Sequence, residues 1–264
     1  MAQKRKLRRY DTPFGRCYLL GHPPFEKIMP SVTTVLSQKK MQYVEDLREK
    51  IGEEALNKIS MNAALRGTAM HKYLENYLIC MQLKNDDEQA LLYTQKKTPE
   101  DLKGTMEQER IDKGRDLFYN IYNEGLLGKI KKILFTERFL WSVEHLFAGT
   151  ADHGFLSMDE KIILGDFKSA SSPRGQEQID KNKAQLGAYA IAFEENFGYR
   201  VSGADVWISH PGGIQLIEMN YEELQEAKGM FLELLNEFHS QWDPVKMAEY
   251  IHQNNVKDSE SQEV

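Results

Sequence analysis

The sequence predicts an α/β protein of the α+β kind, in which a mixed central sheet is flanked by helices and follows a long helical region. Two observations favour this fold class. From about Tyr43 to Gly128 the apolar residues recur with the period of helices, as in Ala69–Met81 and Ile111–Leu127. After Gly128 the pattern changes to the alternation typical of strands. The helical region is therefore expected to precede the sheet.

The strand-like part of the chain supplies the elements of one sheet. Lys132–Ser142, Leu146–Ser157 and Lys161–Ser169 are joined by short polar turns and predict a β-meander. The elements expected after it are a helix at Gln176–Asn196, strands at Val201–Ser209 and Ile214–Met219, and a helix at Tyr221–His239. We expect one domain over residues 1–252, with a helical region at 28–130, core sheet and helices at 131–240, and a disordered tail at 253–264.

Two segments before the meander differ from the rest of the helical region. Phe14–Leu36 is rich in turn residues and predicts a small hairpin that leads into a helix beginning near Ser31. Lys84–Lys113 is very polar, so we expect it to be exposed and mobile and able to arch over a binding groove. Helical tyrosines at positions 73, 77, 119 and 122 either stack on unpaired bases or belong to the core.

The composition narrows the class of protein. The chain has 264 residues, of which 41% are hydrophobic and 28% charged, the balance of an ordinary soluble globular protein. No apolar run approaches the ~20 residues that span a bilayer. Met1–Tyr10 is basic but lacks the apolar stretch of a signal peptide. We expect a cytoplasmic protein without a membrane partner or an evident mitochondrial targeting signal.

The cysteine count limits metal chemistry. Cys17 and Cys80 are the two cysteines of the chain, so four cysteine ligands for an iron–sulfur cluster are not available. A disulfide framework is excluded for the same reason.

Charge is distributed unevenly along the chain. The formal net charge of -6 argues weakly against a nucleic-acid partner. Lys4–Arg9 nevertheless contains five positive charges and no negative one, and Lys129, Lys131 and Lys132 form a second basic cluster. Each cluster either contacts phosphates or is a solvated surface.

A group of charged residues in the meander predicts a metal-dependent reaction. Asp166 and Lys168 lie two positions apart in a strand and therefore share a face. A hairpin turn centred on Asp159 pairs position 152 with position 166, so two aspartates face each other. Like charges at this distance are destabilising unless a cation neutralises them, and carboxylates suit Mg²⁺ or Mn²⁺. A register slip of one residue would instead place Asp152 on the opposite face.

The lysine beside these carboxylates suits phosphodiester hydrolysis. Lys168 can hold an attacking water or stabilise negative charge on phosphorus. A metal ion lowers the pKa of a bound water molecule, which makes this water a better nucleophile at neutral pH. The alternative is a surface ion pair between Lys168 and Asp166.

Two helices offer further polar pairs. His71 and Glu75 stand four positions apart on one helical face, after Thr68, which can cap a helix. Gln185 and Tyr189 have the same spacing and lie beside an apolar stripe. Either pair can face a substrate or a metal, or can belong to the surface or the edge of the core.

The ordered motifs RGTAMHKYLE, FTERFLW, AGTAD, DFKS and QLGAY resemble those of the RecB-like PD-(D/E)XK nuclease superfamily. The resemblance implies a restriction-endonuclease-like core and spans most of residues 28–240. Leu146–Tyr189 and Pro30–Leu36 are most similar to the mitochondrial genome maintenance exonuclease and related phage exonucleases. If this protein is encoded by a phage, we expect it in the host cytoplasm.

The resemblance also implies roles for individual residues. Mg²⁺, or Mn²⁺ as its substitute, would be bound by His71, Asp152, Asp166 and the backbone carbonyl of Phe167. Lys168 would be the catalytic lysine, beside the catalytic residues Asp152 and Asp166. The residues implied in substrate binding are Gln185, Tyr189, Ser169 and Arg66. A role in the active site is implied less directly for Glu75 and Glu137. Family members with an iron–sulfur cluster are excluded by the cysteine count.

We therefore expect a magnesium-dependent deoxyribonuclease that degrades single-stranded DNA from a free end, with replication or recombination proteins as further partners. One alternative is a structure-specific or duplex DNA endonuclease of the same fold, because core motifs do not fix substrate shape. The other is a catalytically inactive nucleic-acid-binding module.

Overall fold

The computed structural model describes residues 6–21, 27–38, 47–254 and 260–263. In chain order the strands are β1 (Lys6–Thr12), β2 (Gly15–Leu20), β3 (Lys27–Pro30), β4 (Ile130–Ser142), β5 (Phe147–Ser157), β6 (Ile162–Ser169), β7 (Gly203–His210), β8 (Gly213–Met219) and β9 (Glu260–Glu263). The helices are α1 (Val32–Ser37), α2 (Glu53–Lys84), α3 (Asp87–Leu102), α4 (Gln108–Asn123), α5 (Gln176–Phe197), α6 (Tyr221–Gln241) and α7 (Pro244–Gln253).

The main sheet is mixed, as expected. Its strand order is β4-β5-β6-β7-β8. β4, β5 and β6 pair antiparallel as the predicted meander, β6 and β7 pair parallel, and β8 returns antiparallel. α5 connects the two parallel strands, which cannot be joined by a tight turn.

Helices cover both faces of this sheet. On one face, residues such as Leu164 and Val206 pack against α5 and α6. On the other face, Phe155, Phe167 and Trp207 pack against α2 and α4. None of the helices in the described ranges combines the length and the apolar character needed to cross a membrane.

The expectation that Lys84–Lys113 arches over a groove was wrong, because most of this segment forms α3, which packs on α2, although many of its side chains are exposed as predicted. The buried residues of α3 are Ala90, Thr94, Thr98 and Leu102, which recur every fourth position and form one face. Asn76 on α2 donates hydrogen bonds to Thr98 and to Asp101 at 3.0 and 3.2 Å. Small and polar residues form this face, so the segment has a helical period without the usual apolar side chains.

Two of the four helical tyrosines belong to the core, and the other two pack against it. Tyr73 and Tyr77 are 1% and 3% exposed and pack against Phe118. Tyr119 and Tyr122 contact the same ring, and the hydroxyl group of Tyr122 donates to Asp87 at the start of α3. α4 ends at Asn123, a turn earlier than expected, and a short 3-10 helix follows at Leu126–Lys129.

A second sheet, which we call the N-terminal sheet, has the order β3-β2-β1-β9. β2 and β3 pair antiparallel within the segment predicted as a hairpin, and a further strand, β1, precedes it. Ser31, which follows β3, bridges to Ala148 of the main sheet. β9 pairs with β1, whereas we expected residues 253–264 to be disordered. Lys4 and Arg5 of the N-terminal basic run lie outside the described residues.

The second basic cluster is part of an ion-paired surface. Lys129 pairs with Glu218, and Lys131 pairs with Glu160. Acidic side chains therefore offset two of its three charges, which favours the interpretation as a solvated face.

A buried histidine fixes the spacing of β5 and β6 next to the predicted site. His153 is fully buried and stacks on Phe167 with ring centroids 4.2 Å apart. Burial lowers the pKa of its imidazole to about 4, so the ring is neutral near pH 7. The ring lies against Gly165, where an added Cβ would be 2.0 Å from the Nε2 atom. Position 165 therefore has no room for a side chain.

Candidate active site

The register of β5 and β6 agrees with the prediction from the sequence. The ladder pairs Gly154 with Leu164 and His153 with Gly165, so Asp152 and Asp166 are the next opposing residues. Beyond the ladder, the backbone N–H of Phe167 donates a 2.8 Å hydrogen bond to Asp152 Oδ2. The hairpin thus brings the two predicted aspartates to adjacent positions on neighbouring strands.

Asp166 is buried among polar partners. Its side chain is 1% exposed, and Lys168 Nζ lies 2.8 Å from Oδ1 and 2.6 Å from Oδ2. Gln185 Nε2 donates to Oδ1 at 3.0 Å and lies 3.5 Å from the Tyr189 hydroxyl. Burial raises the pKa of Asp166 to about 6, and the attraction of Lys168 opposes part of this rise.

Lys168 is held in its charged form. Burial disfavours the ammonium, but attraction to Asp166 and Asp152 outweighs this effect and raises the pKa of Lys168 above its usual value. The side chain of Lys168 is 27% exposed, so its ammonium group can contact a substrate. Burial raises the pKa of Tyr189 well above its ordinary range, which keeps its hydroxyl protonated.

A group of possible metal ligands lies beside this pair. One ligand atom each from His71, Glu137 and Asp152 falls within 4.8 Å of the other two. Glu137 stands opposite Asp152 between two pairs of the β4–β5 ladder and has the unusual φ of +46° for a non-glycine residue. Two carboxylates suit Mg²⁺ and Mn²⁺, and the imidazole suits a transition metal such as Mn²⁺. The donor set therefore fits a divalent cation.

Two acidic residues of the predicted set stand outside this group. Asp166 instead contacts Lys168 and Gln185. Glu75 is half-buried near His71 and pairs with Lys72 at 2.9 Å. The structure therefore brings Glu137 closer to the possible metal ligands than Glu75, which the sequence did not distinguish.

Arg66 and Ser169 lie in the same region as Arg174, an arginine that the sequence patterns did not indicate. Arg174 Nη2 donates to the backbone carbonyl of Ser169 at 3.2 Å. A Cβ at Gly67, which follows Arg66, would be 3.1 Å from Ser169 Oγ. Burial and, after it, the charge of Arg174 lower the pKa of Arg66. Among the described residues neither arginine forms an ion pair with a carboxylate, so the pair can attract an anion.

Several of these active-site residues line a recess of about 330 Å³. Asp152, Lys168, Gln185 and Tyr189 line one side of it. The N-terminal sheet lines another side with Arg9, Arg16 and Tyr18. The sequence offered one signal for these residues, the basic run that ends at Arg9, but no indication that β1 and β2 dock beside the main sheet.

Comparison with known protein families agrees with this fold. The family model of the PD-(D/E)XK nuclease superfamily matches residues 40–255, so the chain belongs to that superfamily. No curated protein matches the sequence. A proposed exonuclease from Eubacterium rectale is similar at 12% identity, over 74% of this chain and 76% of that one, with a TM-score of 0.41. A protein named SSO0001 is similar at 15% identity, over 62% and 73% of the two chains, with a TM-score of 0.29.

Proposed function

We propose that this nuclease-superfamily protein is a metal-dependent deoxyribonuclease that hydrolyses single-stranded DNA from a free end. The observation that carries the proposal is the clustering of three metal-donor side chains, two of which line the same recess as a charged lysine. His71, Glu137 and Asp152 supply the donors, and Lys168 is the lysine. An inactive nucleic-acid-binding module would have no use for this arrangement.

The ion of this proposal is Mg²⁺, with Mn²⁺ as a substitute that both the carboxylates and the imidazole accept. When bound, the ion would neutralise phosphate charge and lower the pKa of a water molecule. His71, Glu137 and Asp152 would hold it, and the family resemblance adds Asp166 and the Phe167 carbonyl as further ligands.

The side chains of the protein itself position and stabilise the reacting phosphate. The Lys168 ammonium stabilises the negative charge that develops as a water molecule attacks phosphorus. Asp166 orients the ammonium, and Gln185 holds Asp166 through the hydrogen bond to Oδ1. Arg66 and Arg174 beside Ser169 bind a phosphate of the same strand.

Two considerations support an unpaired strand with a free end as the substrate. The recess of about 330 Å³ is at the small end of the range of ligand pockets, which suits a short stretch of one strand better than a duplex. The need for an end follows from the resemblance to the mitochondrial genome maintenance exonuclease and phage exonucleases. The arch expected at Lys84–Lys113 does not contribute to this need, because α3 packs on α2. Replication or recombination proteins would then be its functional partners.

The test uses three substrates of matched sequence: linear single-stranded, circular single-stranded and linear duplex DNA. We expect cleavage of the linear single strand with Mg²⁺ or Mn²⁺ and none with chelator. Lys168→Ala should be inactive, whereas Lys161→Ala, an exposed lysine on the same hairpin, should be active. Cleavage of the circle at the rate of the linear strand would establish the endonuclease alternative. Metal-independent cleavage, or equal activity of the two lysine variants, would overturn the site.

A further inference from the structure

The face of the N-terminal sheet that adjoins the recess carries two arginines and one aspartate. In the β1–β2 hairpin Arg9 stands opposite Tyr18, and Asp11 stands opposite Arg16. Because side chains alternate along a strand, these four residues share a face. Arg9, Arg16 and Tyr18 line the same recess as Asp152. This face of the sheet is therefore a wall of the candidate active site.

The opposite face of the hairpin fixes this orientation. Tyr10, Cys17 and Leu19 are buried there against α7, where they contact Met247 and Ile251. Burial raises the pKa of the Cys17 thiol to about 12, so the thiol stays uncharged. Arg8 also alternates onto this face, so the orientation is fixed by the burial of the apolar side chains, which turning the hairpin over would expose to water.

Hydrogen bonds connect the wall to the strand that carries Asp152. The backbone carbonyl of Arg16 accepts from Ser31 N and from Thr34 Oγ1, both at 2.9 Å. Ser31 in turn bridges to Ala148 of β5. Arg16 is thus placed relative to Asp152 by a continuous series of backbone contacts.

Asp11 forms ion pairs with both arginines at the wall. Its Oδ1 accepts from Arg16 Nε at 2.9 Å, and its Oδ2 accepts from Arg9 Nη2 at 3.3 Å. Asp11 offsets one of the two guanidinium charges, and Glu260 of β9 stands opposite Arg9 across the β1–β9 pairing. Both guanidinium groups line the recess, where they can donate hydrogen bonds to an anion.

We propose that Arg9 and Arg16 bind a backbone phosphate of the DNA strand that occupies the active site. The N-terminal sheet is then part of the substrate-binding surface, although the superfamily match begins only at residue 40. The inference rests on the proposed function, because it needs DNA in the recess.

The test is equilibrium binding of a labelled single-stranded oligonucleotide with Ca²⁺ in place of Mg²⁺, measured over a range of salt concentrations. Arg9→Gln and Arg16→Gln should each weaken binding about tenfold at low salt. Each should also reduce the slope of log affinity against log salt by about 0.7 for every phosphate that the variant no longer neutralises. Arg8→Gln is the matched control, since Arg8 lies on the same strand and on the opposite face, and it should bind like the unaltered protein.

A variant of Asp11 separates phosphate binding from a purely structural role. Asp11→Asn removes the ion pairs of both arginines and keeps both positive charges, so affinity should stay within about twofold. If the arginines only hold the sheet together, Asp11→Asn should weaken binding as much as the arginine variants do. Thermal unfolding identifies any variant that is not folded, and Arg16→Lys, which keeps the charge, then replaces Arg16→Gln.

Two results would overturn the inference and leave the proposed function intact: arginine variants that bind DNA like Arg8→Gln, or an Asp11→Asn variant with the full defect. In both cases the unaltered protein still cleaves DNA. A protein that neither binds nor cleaves DNA would overturn both proposals together.

Discussion

The backbone N–H of Phe167 donates a 2.8 Å hydrogen bond to the carboxylate of Asp152, although the two residues belong to different strands. The side chain of Asp152 thereby takes the place of a backbone acceptor just beyond the last paired residues of the β5–β6 ladder. Asp166 and Lys168 flank Phe167 directly. The possible metal ligand on β5 is therefore fixed in position relative to the acid and lysine on β6.

Removing the lysine should abolish catalysis without unfolding the protein. Lys168→Ala is expected to lower the rate of DNA cleavage by about 10²–10³-fold or more, because an oriented charge at the developing transition state is lost. Asp166→Asn should have a comparable effect, since it releases the ammonium. Cleavage assays and circular dichroism check both, with the exposed turn variant Asp159→Asn as control. Activity of Lys168→Ala near that of the control would remove it from the chemistry.

Substitutions of Glu137 on β4 and Glu75 on α2 should differ in their effect on the metal dependence of activity. Glu137→Gln and His71→Ala are expected to raise the Mg²⁺ concentration needed for half-maximal activity by about tenfold, since each removes a donor, and Mn²⁺ should restore part of the rate. Glu75→Gln is the control, because Glu75 pairs with Lys72 outside the donor group. Metal titrations of activity provide the measurement, and a larger shift in Glu75→Gln than in Glu137→Gln would contradict the assignment.

Arg174→Gln should weaken DNA binding without loss of stability. The substitution removes a charge that repels Arg66, which offsets the loss of the hydrogen bond to Ser169. We expect several-fold weaker binding with Ca²⁺ and a free energy of unfolding within about 0.5 kcal/mol of the original. Arg138→Gln, an exposed arginine over the ring of Phe197, is the control. Unchanged DNA affinity of Arg174→Gln would show that the arginine pair does not bind phosphate.

Gly165→Ala should destabilise the protein by steric conflict. The added Cβ would be 2.0 Å from His153 Nε2, and both strands are buried, so we expect a loss of about 1–3 kcal/mol in urea denaturation. Gly229→Ala in α6 meets no atom within 4 Å and should be neutral or stabilising by up to about 1 kcal/mol. His153→Ala combined with Gly165→Ala should lose less than the sum of the two single changes. Additive losses would mean that the two residues do not compete for space.

Asp205 should make stability depend on pH away from the active site. Burial raises the pKa of its carboxyl from 3.8 to about 6, and repulsion from Glu218 adds to this rise while Lys129 opposes it. Because the folded protein holds the proton more tightly than the unfolded chain, the stability from protonated Asp205 is present below about pH 4 and is lost as the pH rises through about 6. Asp205→Asn should therefore gain on the order of 2 kcal/mol over the original protein between these pH values. Parallel stability curves for the two proteins would exclude this titration.

The hairpin that carries Asp152, Asp166 and Lys168 could be predicted because the alternation of β5 and β6 and the turn near Asp159 leave one register compatible with both apolar faces. The superfamily motifs extended the prediction to His71 and Gln185. Both the strand alternation and the motifs are local patterns in the sequence, so they can be recognised without knowledge of tertiary contacts.

Other parts depend on tertiary contacts that local patterns do not display. Glu137 reaches the donor group from a backbone with positive φ, so the alternation of β4 does not predict the direction of its side chain. The buried face of α3 consists largely of alanine and threonine, which resembles an exposed sequence. Arg16 and Arg174 approach the site through docking of the N-terminal sheet and through the loop after β6, neither of which leaves a periodic signal.

The separation of the donor residues along the chain has a consequence for the order in which the site assembles during folding. Asp152 and Asp166 meet through a short hairpin, whereas His71 arrives on a helix from far upstream, and closing the longer loop costs more chain entropy. We expect the carboxylate hairpin to gain protection from hydrogen exchange before α2 docks, in pulse-labelling during refolding. Early intermediates would then lack the imidazole donor, so tight metal binding would mark the completion of folding rather than its start.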